Sequence, residues 1–138
     1  MGALKETAAT LRFFGDDLDP ADITAALGSQ PSVAARKGEI WRTPAGTEKV
    51  ARRGFWRLET ERCSPGALDG QIDELLSAVT DDLAVWALLT SNYEADIFCG
   101  LFLGEENEGF SLSPKTSNAA GVRGLELNFD LYSSDRAE

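Results

Sequence analysis

The sequence predicts an α+β domain in which helices cover one face of a sheet. Three observations carry this. Ala95, Ile97, Cys99, Leu101 and Leu103 alternate with Glu94, Asp96, Phe98, Gly100 and Phe102, the period-2 mark of a strand with one buried face. Leu68, Ile72, Leu75, Leu76, Val79, Leu83 and Trp86 recur at helical spacing. The outward positions of the last strand, Glu126, Asn128, Asp130 and Tyr132, are polar, so the second face of the sheet is half open to water.

Along the chain, residues 1–6 are expected to fray, and a first strand spans 7–14 with Leu11 and Phe13 on one face and Arg12 and Phe14 on the other. A turn of Gly15, Asp16 and Asp17 leads to Asp19, a helix N-cap, with Pro20 at the first helical position and Asp22 favourable to the helix dipole. Ile23, Ala26 and Leu27 supply the apolar stripe, and Gly28 closes the helix before Gln30-Pro31 prevents its continuation. Residues 32–41 read as an edge strand with Val33 and Ala35 inward and Arg36, Lys37 and Glu39 at its far end. A polar loop over 43–50 precedes a strong strand over 53–61, in which Trp56, Leu58 and Thr60 oppose Phe55, Arg57, Glu59 and Glu61.

In the helical stretch from 68 to 91, Thr80-Asp81-Asp82 reads as a solvated middle turn of one helix or as a break between two; the break is preferred, because a threonine and two acids precede an apolar run as at a helix start. Residues 93–114 read as a hairpin: a strand, an acidic turn at 105–109, and a second strand in which Phe110 and Leu112 resume the alternation. Ser113-Pro114 opens a short helix ended by Gly121 or Gly124, and the last strand turns Leu125, Leu127, Phe129 and Leu131 inward. Residues 133–138 should fray, leaving a single domain over 7–132. The first six elements match a ferredoxin-like βαββαβ unit, which sets the strand of Arg12 beside that of Arg57, and the last elements add a C-terminal βαβ extension. The expected whole is a largely antiparallel sheet of five or six strands with two or three helices packed on one face.

Charge narrows the function. The 138 residues carry 13 basic and 23 acidic side chains, net −10, which argues against wrapping nucleic acid. Residues 1–62 hold 10 basic and 9 acidic groups, whereas residues 63–138 hold 3 and 14, so the two parts attract each other or a partner. No apolar run approaches the roughly 20 residues of a membrane helix, no signal peptide is evident, and Cys63 and Cys99 lie in settings unsuited to a disulfide; a cytoplasmic protein is expected. With no histidine, the commonest general base is missing, and two distant cysteines make no zinc motif.

Several motifs taken in order carry a resemblance. LRFFGDDLDPADITAALGSQPS, ARKGEIW, GFWRLETE, YEADIFCGLFL, GFSLSP and GLELNFDLY, spanning Thr10 to Tyr132, resemble the bacterial family known as domain of unknown function 4279. The residues matching its motifs are Phe14, Gly15, Asp19, Pro20, Arg36, Lys37, Gly38, Trp56, Cys99, Gly100, Phe110, Ser111, Ser113 and Pro114. The resemblance implies a small standalone cytoplasmic domain and carries no activity with it. TPAGTEKVARR, before the strand of Trp56, departs from the family pattern.

Two groups of residues are candidate sites. Arg36, Lys37, Arg42, Lys49, Arg52, Arg53, Arg57 and Arg62 concentrate positive charge in the 36–62 segment, which reads as a patch for an anion or an acidic partner; a solvated surface paired with the acidic half of the chain is the competing explanation. On the outward parity of the sheet, Arg12, Arg57, Glu59, Asp96, Glu126, Asn128 and Asp130 converge if the strands pair as expected, to hold a partner or to pair among themselves. The residues chosen are Arg12, Arg36, Lys37, Arg57, Asp96 and Asp130. No catalytic residue, metal ligand or cofactor is expected: Asp16, Asp17, Asp19 and Asp22 suit a cap better than a calcium loop, Cys99 lacks a base, and GFSLSP is no nucleophile elbow. The expected function is non-catalytic binding of a protein partner through the charged sheet face and acidic surface, an immunity-like role being compatible with the charge. The alternative is binding of, or catalysis on, a small anionic ligand by the 36–62 segment, and a homodimer through the open sheet face is a further expectation.

Overall fold

The computed structural model describes residues 2–104 and 107–133. Its elements are β1 (Gly2–Ala3), β2 (Glu6–Gly15), α1 (Pro20–Leu27), β3 (Val33–Ala35), β4 (Ile40–Arg42), β5 (Glu48–Val50), β6 (Gly54–Glu59), α2 (Leu68–Ser77), α3 (Leu83–Asn92), β7 (Glu94–Phe102), β8 (Glu108–Gly109), α4 (Pro114–Val122) and β9 (Glu126–Tyr132). Five strands form one sheet in the order β3-β6-β2-β7-β9. The sheet is mixed: β3–β6, β6–β2 and β2–β7 run antiparallel, whereas β7 and β9, joined through α4, run parallel. The expected α+β class holds, with four helices among the described residues rather than two or three.

Local chemistry sets the helix ends. Asp19 accepts the Ala21 N–H at 3.0 Å, Pro20 opens α1, and Gly28 closes it at φ 73°, a left-handed conformation that costs a residue without Cβ little. Asp82 accepts the Ala84 N–H and starts α3, so the stretch from 68 to 91 is two helices. Ser113 caps α4 through the Thr116 N–H, while Asp69 at the start of α2 takes the Ser113 N–H at 2.8 Å and ties α4 to α2. That hydrogen bond is the main reason the Asp69 carboxyl lies below its ordinary range.

All four helices lie on one side of the sheet. Ala9, Leu11 and Phe13 of β2, Trp56 of β6, and Ile97, Cys99 and Leu101 of β7 are wholly buried against Ile23, Leu27, Ile72, Leu75, Trp86 and Ala120. Phe13 lies edge-on to Trp56 and stacks on Trp86, each at 5.9 Å. The buried Trp56 and Trp86 N–H groups are satisfied by Thr24 Oγ1 and the Thr80 carbonyl. Gln71, also buried, binds the Thr7 hydroxyl and the Thr7 and Glu61 carbonyls, fastening α2 to β2.

Five expectations need correction. The 93–114 hairpin does not form, because β2 and β9 occupy both edges of β7; Glu108–Gly109 instead pairs in parallel with Gly2–Ala3. For the same reason residues 2–6 are no loose tail: Leu4 is buried and Glu6 begins β2. Val33 and Ala35 turn away from the helices, since they pair with Arg57 and Phe55, and Ala34 is the residue of β3 that packs on the main core. The 43–50 loop is the end of a hairpin, β4 with β5, which folds over the second face of the sheet and buries Ala35, Ala51 and Phe55. In β9, Leu125 just before the strand is buried, but Phe129 is 40% and Leu131 60% exposed, because the helices do not reach the far end of this edge strand. The expected terminus 133–138 lies, beyond Ser133, outside the described residues.

Candidate functional site

The face away from the helices is built by the alternate residues of the same strands. Register sets Arg57, Arg12, Asp96 and Glu126 in one row across β6, β2, β7 and β9, and Phe55, Phe14 and Glu94 in the next. Arg12 donates from Nε and Nη2 to the two oxygens of Asp96 at 2.8 and 2.6 Å, a bidentate pair. Its guanidinium lies over Phe98 and Phe14, 4.5 and 5.1 Å from the ring centres. Asn128 donates to both Asp96 and Glu126. Asp130 accepts the Tyr132 hydroxyl at 2.5 Å, and Tyr132 stacks on Phe102, over which Arg62 lies.

Under the β4–β5 hairpin the face becomes concave. A pocket of about 670 Å³ is lined by Phe14, Trp41, Val50 and Phe55 and by Lys49, Arg52, Arg53 and Arg57, with no carboxylate in its wall. Trp41 and Phe55 meet edge to face at 5.0 Å, and Arg57 lies over both, 5.1 and 4.7 Å from their centres. Burial lowers the pKa of Arg57, opposed by Glu59 and aided by the neighbouring Arg12. Its Nε is buried with no hydrogen-bond partner, and among the described residues neither Arg57, Lys49 nor Arg52 has an ion-pair partner. Arg53 is held by Glu94 at 2.9 Å. Beyond Phe14, which borders both, a second hollow of about 540 Å³ has the opposite character, with Glu94, Asp96 and Glu126 in its wall.

Of the six residues expected from the sequence, Arg12, Arg57, Asp96 and Asp130 do share the open face. Arg36 and Lys37 do not join them: Arg36 pairs with Asp19 at 2.8 Å and Lys37 with Asp16 at 3.7 Å, at the turn before α1. Those acids therefore hold β3 to the start of α1. No group of three or more acids and cysteines among the described residues could hold a metal ion. Cys99 is wholly buried, and burial, with the nearby Asp96 charge, pushes its thiol up to about 12, so it is protonated at neutral pH.

Lys49, Arg52 and Arg53, members of the basic 36–62 patch, complete the pocket with Phe14, Trp41, Val50 and Phe55, and these last four are the residues that the sequence did not mark as part of a site. A signal for them was present: Phe55 shares the parity of Arg57, and Phe14 that of Arg12, so pairing the two strands puts all four side chains on one face.

The chain belongs to the family described as domain of unknown function (DUF4279), which matches residues 5–134. The match covers every strand of the five-stranded sheet and the β4–β5 hairpin, so the pocket lies wholly inside the family domain. No curated protein and no solved structure matches the chain.

Proposed function

We propose that the domain is a non-catalytic binding module whose site is the pocket under the β4–β5 hairpin, and that it takes a carboxylate or phosphate carried on a flat apolar body. The observation that carries this is Arg57: a half-buried guanidinium with a buried, unpartnered Nε, set between Trp41 and Phe55 and facing a wall without carboxylates. A buried donor left unmade costs about 1–3 kcal/mol, and a guanidinium already partly stripped of water has less hydration to lose on meeting an anion. Lys49 and Arg52 add charge at the rim, and the aromatic rings accept a planar group. Lysine and arginine side chains bind and orient anions but do not exchange protons readily near neutral pH, so binding suits this pocket better than acid–base chemistry.

A protein partner is the second reading. Tryptophan, phenylalanine and arginine are the residues on which protein interfaces concentrate their energy, and an acidic side chain beside an aromatic one would fill the same pocket. The sign of the pocket favours an acidic partner over the basic nuclease of an immunity-like role. We read β2 to β7 as a ferredoxin-like unit with a βαβ extension, supported by the strand order and alternating directions of β3, β6, β2 and β7. A cytoplasmic setting is supported by two unpaired cysteines; no helix among the described residues is long and apolar enough to cross a membrane.

Trp41 makes the proposal measurable, because Trp56 and Trp86 are wholly buried and Trp41 borders the pocket. Titration with phenyl phosphate should change Trp41 fluorescence saturably, inorganic phosphate should bind more weakly, and Arg57→Gln should abolish the change. An unchanged response in Arg57→Gln would refute the site.

A further inference from the structure

The outer edge of β9 is unpaired among the described residues. Edge strands are normally kept from pairing by proline, by charged side chains and lysine above all, by bulges, by short length or by a covering segment. β9 runs seven residues, ELNFDLY, without proline or lysine; its two charges, Glu126 and Asp130, lie on the open face, while Phe129 and Leu131 are exposed on the other, with exposed Phe110 packed 5.4 Å from Phe129. The Tyr132 carbonyl accepts from the Leu103 N–H and so points toward β7. By alternation, the N–H and C=O groups of Leu127, Phe129 and Leu131 point outward, with no backbone partner among the described residues.

We infer that this edge is where a second copy of the chain docks, β9 against β9 in antiparallel register about a two-fold axis at Phe129, extending the sheet through both copies. The register follows from backbone and charge. Outward-pointing groups must meet outward-pointing groups, so odd-numbered residues pair with odd. Centring on Asn128 sets Glu126 opposite Asp130, and centring on Asp130 sets Asp130 opposite itself; like charges directly opposed destabilise a ladder. Centring on Phe129 pairs the whole strand: Leu127 with Leu131, Asn128 with Asp130 and Glu126 with Tyr132, so no carboxylate faces another. The remaining repulsion, between diagonal Glu126 and Asp130, between the two diagonal Asp130 carboxylates and between two chains of net −10, is screened by salt. The dimer therefore tightens as salt rises. It uses the edge of the sheet and leaves its open face, and the pocket, accessible.

Sedimentation velocity at rising protein concentration, in dilute buffer and in about 1 M salt, where the screening length is about 3 Å, should show a monomer–dimer equilibrium shifted to dimer by salt. Leu131→Lys, at an exposed position, should weaken dimerisation about tenfold or more. Register is read by cross-linking in a Cys63→Ser background. Directly opposed residues of a hydrogen-bonded antiparallel pair lie about 5.5 Å apart at Cα, within the roughly 4.4 to 6.8 Å that a disulfide spans. Phe129→Cys should link to itself under mild oxidation, Leu131→Cys alone should not, and a mixture of Leu127→Cys and Leu131→Cys should link. A monomer at every salt concentration overturns the inference, and so does a dimer in which Leu131→Cys links to itself and Phe129→Cys does not.

Discussion

The two faces of the five-stranded sheet are made by the same strands, residue by alternate residue, and they solve opposite problems. On the helix side, Leu11, Phe13, Trp56, Ile97, Cys99 and Leu101 are dry, and the few polar groups among them are paired one by one, as Trp56 is with Thr24. On the far side, Arg12, Arg57 and Arg62 lie over aromatic rings, and a short hairpin shelters only one end. The first face holds the fold; the second holds charge in a setting half withdrawn from water. A guanidinium over a ring keeps its charge while shedding part of its hydration, which readies it for an anion.

Substitutions that separate the two faces test this division. Trp56→Ala should cost about 3–5 kcal/mol in denaturant unfolding, since it empties a site packed on Phe13 and orphans Thr24. Cys99, on the same face, sets an alkaline limit. Its folded pKa is raised from 9.0 to about 12, so its contribution is fully present below about pH 9 and is lost as pH rises through about 12. Stability should fall in that window by something on the order of 4 kcal/mol through this group, and Cys99→Ala should flatten the fall relative to the wild type. On the open face, Asp96→Asn leaves Arg12 without its bidentate partner and should cost about 1–3 kcal/mol. Arg57→Met should change stability by less than about 1 kcal/mol, in either direction, because a half-buried cation is replaced by an apolar side chain that covers the same rings. A large loss of stability in Arg57→Met would mean that Arg57 belongs to the scaffold.

The division was largely legible in the sequence, because parity is a local property. Alternation in 7–14, 53–61 and 93–103 placed Leu11, Trp56 and Ile97 inside, and Asp19, the run Thr80-Asp81-Asp82 and Ser113 marked helix starts through their own hydrogen-bonding chemistry. What failed was non-local. Phe110 and Leu112 continue an alternating pattern, but whether a strand folds back depends on a free edge, and β7 had none left. The basic 36–62 segment read as one patch, yet the acids that neutralise Arg36 and Lys37 stand about twenty residues earlier, at Asp19 and Asp16. Val33 and Ala35 looked like core because they are apolar; the hairpin that buries them lies on the other face, and its strands are too short to show a period.

The central claim is that the open face binds an anion at Arg57. Amide and side-chain NMR spectra recorded during titration with phenyl phosphate test it most directly. Shifts that saturate and map to Phe14, Trp41, Lys49, Arg52, Phe55 and Arg57, with Ile97 and Leu101 unmoved, are the predicted result. Shifts confined to Arg36 and Lys37, or no saturable shift at all, would contradict it.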